Sequence, residues 1–235
     1  MTDRPILFSA SMIRALLTGT KTQTRRVVTR GTVDVLGSRW GKSSPWEGLR
    51  FNEAWVRENS PISGERDPNL AVPFCHPDDE PTPTSECGIY RLTPIIQAGD
   101  RLWVRESIDK MSDRGDDPIC YMADWPGDGR GLGWRPSIHM PRWASRLTLP
   151  VTKVRVQRLQ DINDDDAIAE GVDQNGAVAG SDVDIDGGWW PGGPRNQYRR
   201  LWDHLNAARG YEWDSNPWVV AVSFVVVYCN IDEAA

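Results

Sequence analysis

Apolar positions along the chain fall into short periodic segments separated by long polar stretches. Residues 5–8 form a short apolar entry, which predicts a strand or a lid over the element that follows. Residues 11–17 carry apolar side chains at helical spacing and predict a helix of about two turns, with Ser11 as its N-cap. Gly19 comes just after the last turn, where a glycine commonly ends a helix.

Three later segments have the composition of β-strands. Residues 98–106 begin with a Gly-Asp turn and then alternate apolar and polar side chains. Residues 147–156 are rich in β-branched side chains, and Pro150 among them predicts a bulge or an edge position. Residues 218–228 contain an almost continuous run of apolar side chains, mostly valines, which predicts a central strand.

Two further helices are predicted from their end signals. Asn163 is a good N-cap for a short helix with three acidic residues in its first turn, and Gly171 is placed to end it. Residues 197–209 are amphipathic, with Gly210 closing the helix.

The order of these elements lacks the regular strand–helix alternation of a parallel α/β sheet. We therefore expect residues 1–235 to form a single α+β domain, in which helices flank a small β-barrel or curled sheet. Long loop insertions are expected at about residues 30–97, 109–133 and 172–195. The first of these contains too few apolar residues to bury a core of its own.

Composition and charge limit the class of ligand. Hydrophobic residues make up 39% of the 235 positions, and the formal net charge is -6. A protein that grips duplex DNA nonspecifically is normally basic overall, so we expect a small or single-stranded ligand instead. No apolar run approaches the ~18 residues of a membrane span, and no secretory signal is seen. The sequence thus predicts a cytoplasmic protein with no membrane association and no obligate protein partner.

The cysteines give little support for a metal site. None of the four forms a CxxC pair, and reduced thiols are the default expectation for a cytoplasmic protein. Cys75 and His76, with Cys87 and Cys120, could ligate zinc, but their spacing fits no standard pattern. We therefore expect neither a metal nor a cofactor.

The strongest chemical signal lies in residues 18–26, which hold one lysine, two arginines and four threonines. Lys21 and Thr24 are three residues apart, so a tight bend would bring an amine and a hydroxyl to one side. This pairing is one way to activate a nucleophile, and the neighbouring Arg25 and Arg26 suit a phosphate or carboxylate. The alternative is a solvated charge run that complements the dipole of the preceding helix.

The spacing Gly-x-Lys-x-x-Thr-x-Arg across residues 19–26 resembles the signature of ASCH domains, a branch of the PUA-like superfamily of small β-barrels that bind RNA or modified bases. Further landmarks resemble the family in order and cover, with the motif, about half the chain: residues 99–104, 166–171, 202–206 and 218–224. Residues 4–9 and 102–106 are similar to the longer, tryptophan-rich ASCH proteins of phages and prophages.

The resemblance implies an amidohydrolase, because some small bacterial ASCH proteins remove the acetyl group of N(4)-acetylcytidine with a lysine, a threonine and a glutamate. These roles fall on Lys21, Thr24 and Glu170, and Arg26 falls on the arginine that shapes the pocket. Lys21 would either take the proton of the Thr24 hydroxyl or, as an ammonium, stabilise an oxyanion while Glu170 activates water. Without the resemblance, an exposed glutamate in the last turn of a helix is as good an interpretation of Glu170 as a catalytic residue.

Four other side chains are candidates for substrate binding. Arg25 adjoins the motif, and Glu106 is a rival acid at the barrel mouth, although it could simply pair with a neighbouring arginine. His139 is either in the cleft or structural. Trp103 is a candidate stacking wall for a base, with core packing as the alternative.

Three functions therefore remain open, with a modified nucleoside or single-stranded nucleic acid as the partner. The first is hydrolysis of an N4-acyl cytidine or related modified pyrimidine. The second is a non-catalytic module that binds RNA or a modified base. The third is a ribonuclease that would use Lys21 and Arg26 on phosphate.

Overall fold

The structure is a computed structural model and describes residues 1–28, 33–36, 50–51, 71–75, 89–109, 119–125, 133–172 and 193–234. For residues 33–36, 50–51, 71–75 and 89–94 only the backbone is described. Most of the three expected insertions therefore lies outside the described residues, as do His76 and Cys87 of the considered zinc set.

The described chain contains three α-helices and eleven strands. The helices are α1 (Ala10–Leu17), α2 (Asp164–Ala169) and α3 (Gly193–Asn206). The strands are β1 (Asp3–Leu7), β2 (Gln23–Val27), β3 (Val33–Leu36), β4 (Arg50–Phe51), β5 (Ala71–Cys75), β6 (Ile89–Pro94), β7 (Arg101–Arg105), β8 (Ile108–Asp109), β9 (Trp134–Arg135), β10 (Thr148–Arg158) and β11 (Trp218–Phe224). This mixture confirms the α+β class. No helix in these ranges is long and apolar enough to cross a bilayer.

The main sheet has five strands in the order β1-β7-β10-β11-β2. β1 pairs with β7 in parallel, and the other neighbours are antiparallel. β10 pairs with β7 at its start and with β11 over the rest, with a register shift between Val151 and Lys153. The irregularity predicted from Pro150 is therefore present, directly after the proline. A separate sheet has the order β3-β6-β5-β4, and β8 pairs with β9.

The five-stranded sheet is strongly curled. Its edge strands, β1 and β2, would lie roughly 19 Å apart in a flat sheet with strand spacings of about 4.8 Å. Instead, Nη2 of Arg26 in β2 donates a hydrogen bond of 2.7 Å to the carbonyl of Leu7, the last residue of β1. No backbone ladder joins the two edges within the described residues, so the sheet seen there is open and not a closed barrel.

Two hydrophobic clusters lie on the two faces of this sheet. The larger one packs β1, β7, β10 and β11 against α1, with Val220 and Val222 contributed by β11. The smaller one packs Val219, from the opposite face of β11, against α2 and α3 through Tyr198 and Trp202. β11 is thus buried on both faces, which confirms the prediction of a central strand.

The helix ends follow the sequence signals with two corrections. The N-cap of α1 is Ser9, whose hydroxyl accepts a hydrogen bond from the Met12 N–H, so the prediction of Ser11 is wrong. The adjacent Phe8 is buried in the larger cluster, and its burial sets where the helix begins. Gly19 has φ +73° and ends α1 as predicted.

The other two helices end at the predicted glycines. Asn163 accepts a hydrogen bond of 2.8 Å from the Asp166 N–H as the N-cap of α2, and Gly171 follows this helix with φ +100°. α3 begins at Gly193, earlier than the predicted residue 197, and a 3₁₀ turn continues it to Gly210, where φ is +79°.

Candidate functional site

Lys21 and Glu170 meet at the edge of the main sheet, where the chain entering β2 passes the end of α2. Their backbones form an antiparallel bridge, and the Thr22 N–H donates to the Ala169 carbonyl at 2.8 Å. The Lys21 Nζ donates to the Glu170 carbonyl oxygen at 2.8 Å and to Glu170 Oε2 at 2.9 Å. Lys21 is 2% exposed and Glu170 6%, so this ion pair is buried.

Gly171 follows α2 and lies against the lysine. At φ +100° its backbone adopts a conformation that strains any residue with a side chain. A Cβ at this position would stand 3.4 Å from the Ala15 Cβ and 3.5 Å from the Lys21 Cβ, which is ordinary van der Waals contact. The glycine is therefore favoured by its backbone conformation, and it lies beside both α1 and the lysine stem.

Arg25 shares the Glu170 carboxylate with Lys21. Its Nη1 donates to Glu170 Oε1 at 3.0 Å, and its Nη2 donates to Asp166 Oδ2 at 2.7 Å. Arg155 also donates to Asp166, at 2.8 Å, so the arrangement continues into β10. Each oxygen of Glu170 thus accepts a hydrogen bond from a different cation, which fixes the orientation of the carboxylate.

A cavity of about 480 Å³ opens above this ion pair. Lys21, Thr24, Arg25, Arg26 and Glu170 all line it. β2 is an edge strand, and its alternating side chains point to opposite faces, so a cavity that wraps the edge can reach Thr24 and Arg25 together. The remaining walls come from the end of β1 and the start of α1, from the end of β2, from α3 and the turn after it, and from two serines of other segments: Leu7, Phe8, Ser9, Met12, Val27, Ser107, Ser137, Tyr198, Leu201, Trp202, Leu205, Asn206, Arg209 and Tyr211.

The structure thus brings together the four residues of the motif-based site, Lys21, Thr24, Arg26 and Glu170, along with Arg25. Thr24 is 4% exposed, and this remaining exposure is compatible with contact to a ligand in the cavity. The Phe8 ring lies between two of the cations, 5.8 Å from Lys21 Nζ and 5.6 Å from Arg26 Cζ. An aromatic face at that distance is a favourable environment for a cation.

Burial dominates the electrostatics of the lysine. It lowers the pKa of Lys21 below the usual 10.5, against the raising effect of Glu170, and the positive charges of Arg26 and Arg25 lower it further. Tyr198 on α3 faces the same group of charges, and its ring lies 5.8 Å from Arg25 Cζ. Burial raises the pKa of Tyr198 well above its usual 10, and the negative charge of Glu170 adds to that effect.

Glu106 does not line this cavity. Its two carboxylate oxygens accept hydrogen bonds from Arg146, from Nε at 2.9 Å and from Nη2 at 3.0 Å, and Arg146 also binds Asp124. Burial raises the pKa of Glu106, against the lowering effect of Arg146. The carboxylate is only 2% exposed, and its partner is Arg146 rather than a neighbouring arginine of β7.

The other two predicted binding residues also stand apart from the cavity lining. Trp103 is 9% exposed and alternates with Leu102 and Val104, which belong to the larger hydrophobic cluster. Its ring packs 5.3 Å from Arg105 Cζ. His139 is exposed and ends a 3₁₀ turn whose first residue, Ser137, does line the cavity.

Sequence reasoning missed three lining residues that now belong to the site: Phe8, Tyr198 and Arg209. Phe8 and Tyr198 are residue types typical of a hydrophobic core, and Arg209 is a cation of the kind commonly found in the last turn of a helix. The local sequence pattern therefore did not indicate that these residues belong to a binding site. Only the tertiary packing of their elements around the cavity identifies them.

Among the described residues, no group of three or more His, Cys, Asp or Glu side chains is placed to hold a metal ion. In comparisons with known proteins, no family model matches the chain, and no curated protein or solved structure matches it either.

Proposed function

We propose that the protein is a hydrolase that removes the acyl group from an N4-acylated cytidine or a related modified pyrimidine nucleoside. The observation that supports this most directly is the buried Lys21–Glu170 pair on the wall of a cavity that Thr24 also lines. The cavity volume of about 480 Å³ lies within the roughly 300–1,000 Å³ typical of small-molecule sites. The resemblance of residues 19–26 to the ASCH motif supplies the substrate class, and membership of the PUA-like superfamily belongs to the same proposal.

We assign Thr24 as the nucleophile and Lys21 as its base, because both line the same cavity. The Lys21 Nζ makes two hydrogen bonds, both to Glu170. When Lys21 is in its neutral form, which can donate both of these bonds, the remaining position on Nζ holds a lone pair that can accept a proton. The lowered pKa of Lys21 increases the fraction of the amine that is neutral near pH 7.

The reaction then proceeds in two stages. Thr24 Oγ1 attacks the acyl carbonyl while its proton passes to Lys21 Nζ, and a tetrahedral oxyanion forms. The bond between N4 and the acyl carbon breaks, the proton returns to N4, and cytidine leaves. Lys21 then takes a proton from water, which attacks the acyl-threonine ester. The bond between the acyl carbon and Thr24 Oγ1 breaks, the proton on Lys21 passes to Oγ1, and the carboxylic acid leaves.

Direct activation of water by Glu170 is less well supported. Oε1 already accepts from Arg25 and Oε2 from Lys21, so a water molecule would have to compete with two charged donors. In this reading, Glu170 positions Lys21 and does not itself exchange protons with the substrate.

A non-catalytic module for a modified base or RNA is the second candidate. The observation that favours it is that both oxygens of Glu170 already accept hydrogen bonds, one from Lys21 and one from Arg25. Charged groups paired in this way can bind a ligand without transferring protons to it. A base would enter the same cavity, between the edge of β2 and α3.

The test is incubation of the purified protein with N(4)-acetylcytidine and, separately, with labelled single-stranded RNA. Deacetylation that falls by about 10²-fold or more in Thr24→Ala and Lys21→Met supports the hydrolase. The matched controls are Thr22→Ala and Lys153→Met, which alter exposed residues outside the cavity and should keep full activity. Saturable binding without turnover would select the binding module, and RNA cleavage would select a ribonuclease.

A further inference from the structure

The cavity carries the opposite sign of charge to the protein as a whole. The chain has 27 basic and 33 acidic residues, with a formal net charge of -6. Yet the described lining of the cavity contains four basic side chains, Lys21, Arg25, Arg26 and Arg209, and the single carboxylate of Glu170. Such a concentration of positive charge in an acidic protein is typical of a site for an anion.

Two of these basic side chains, both arginines, have no acidic partner among the described residues. Within the part of the chain that the structure describes, neither Arg26 nor Arg209 forms an ion pair. Arg26 donates through Nη2 to the Leu7 carbonyl at 2.7 Å. Arg209 donates through Nη2 to the Leu205 carbonyl at 3.4 Å and to the side-chain oxygen of Asn206. Each guanidinium therefore retains further donors.

The two arginines reach the cavity from two different elements. Arg26 comes from the edge strand β2 and is half-buried, whereas Arg209 comes from the turn that ends the α3 region and is exposed at the rim. Burial lowers the pKa of Arg26, Glu170 raises it, and the positive charge of Arg209 lowers it again. The two guanidiniums thus repel each other across the cavity, and a bound anion would relieve that repulsion.

We infer that Arg26 and Arg209 together hold the phosphate of a phosphorylated pyrimidine nucleoside, so that the substrate is a mononucleotide rather than a free nucleoside. The guanidinium group presents paired donors that match two phosphate oxygens, and two such groups suit a dianion. The base identity rests on the proposed function, whereas the phosphate contacts rest on the arginines. A phosphodiester in an RNA strand offers related chemistry, but a cavity of about 480 Å³ is of the size typical for one small ligand.

The test measures binding without turnover, by calorimetric titration at low salt. The probes are cytidine, cytidine 5′-monophosphate, inorganic phosphate and a short cytidine oligoribonucleotide. We expect the monophosphate to bind about tenfold or more tightly than cytidine, because charge-assisted hydrogen bonds add to the affinity. Inorganic phosphate should bind more weakly than the monophosphate and compete with it.

Two arginine variants show where the phosphate binds. Arg209→Gln should lower the affinity for the monophosphate to near that for cytidine and leave cytidine binding unchanged. The matched control is Arg199→Gln, an exposed arginine of α3 that pairs with Asp214 and does not line the cavity. Arg26→Gln is the second variant, with its fold checked by circular dichroism, and it should show the same selective loss.

Three results would overturn the inference. These are equal or absent binding of cytidine and its monophosphate, an Arg209→Gln variant that binds the monophosphate like the wild type, and tighter binding of the oligonucleotide than of the monophosphate. Failure of the proposed function looks different. In that case neither N(4)-acetylcytidine nor its 5′-monophosphate is hydrolysed, while the Arg209-dependent preference for the monophosphate remains.

Discussion

Lys21 and Glu170 are separated by 149 residues in sequence, yet the Lys21 Nζ lies 2.9 Å from Glu170 Oε2. The contact ties the edge strand β2 to the end of α2, and both side chains are buried. Removing one partner of such a pair leaves an uncompensated charge in a poorly solvated place, which costs more than the pair itself contributes.

Glu170→Ala should therefore lower the free energy of unfolding by about 3–5 kcal/mol, the range for breaking a buried ion pair from one side. The loss should be large here because Arg25 also depends on this carboxylate. Urea denaturation followed by circular dichroism measures it. Glu212→Ala, at an exposed glutamate, is the control and should change stability by no more than about 0.5 kcal/mol. Equal effects of the two variants would show that the buried pair has no special role in stability.

Gly171→Ala should destabilise the protein by more than Gly19→Ala does. Both glycines have positive φ, so alanine costs about 1–2 kcal/mol of backbone strain at either position. The φ of Gly19, +73°, lies close to the left-handed region that L residues can adopt, whereas the φ of Gly171, +100°, lies well outside it. An added Cβ would make only ordinary van der Waals contact at Gly171 and none within 4 Å at Gly19, so the difference between the two variants in urea denaturation measures backbone strain. Equal losses of stability in the two variants would contradict this.

The pH dependence of hydrolysis should identify the protonation state of Lys21. If the neutral amine is the base, kcat/KM for N(4)-acetylcytidine rises with pH, and the rise has its midpoint below the usual lysine pKa of 10.5. The midpoint is lowered because burial favours the neutral form of Lys21 and so lowers its pKa. Lys21→Arg should abolish this rise of kcat/KM with pH, because arginine does not lose its proton at the pH values where lysine does. An activity that instead falls as Lys21 deprotonates would assign the lysine to oxyanion stabilisation.

Stability should decline in acid through Asp166. Burial raises the pKa of Asp166, but hydrogen bonds from Arg155 and the charge of Arg25 outweigh it and hold the pKa below 3.8. Since the folded-state pKa is the lower one, this stabilisation is present above about pH 3.8 and is lost as pH falls through the folded-state value. Urea midpoints measured between pH 5 and pH 2 should therefore fall less steeply in Asp166→Asn than in the wild type. Asp165→Asn, at an exposed neighbour, should keep the wild-type slope, and equal slopes in all three proteins would contradict the assignment.

Local signals predicted most of the helix ends, because each of these ends is encoded by a single residue. They did not predict β2 or the sheet of β3–β6, which lies within the expected insertion of residues 30–97. Asn163 caps a helix by accepting a backbone hydrogen bond, and Gly19 and Gly210 end helices by adopting positive φ. Each of these effects acts within one helical turn, so no tertiary information is needed to predict it. The start of α1 was wrong because Ser9 and Ser11 are both good N-caps. The burial of Phe8, a tertiary effect, decides between them.

The site could be predicted only in part. Lys21, Thr24 and Glu170 came from a motif resemblance, and the structure places them around one cavity. Pairings between distant arginines and acids were not predictable, because any arginine can pair with any acid until the fold brings them together. Arg146 with Glu106 is one example. The place of Arg209 at the cavity rim likewise depends on how α3 docks.

The hydrogen bond from Arg26 to the Leu7 carbonyl has a consequence for how the molecule responds to its ligand. The same guanidinium spans the gap between the two sheet edges and faces the cavity. An anion that draws this guanidinium away leaves the Leu7 carbonyl without its donor, so filling the site and spreading the two edges are thermodynamically linked. Amide hydrogen exchange along β1 and β2 would then report occupancy even for a ligand that is never turned over.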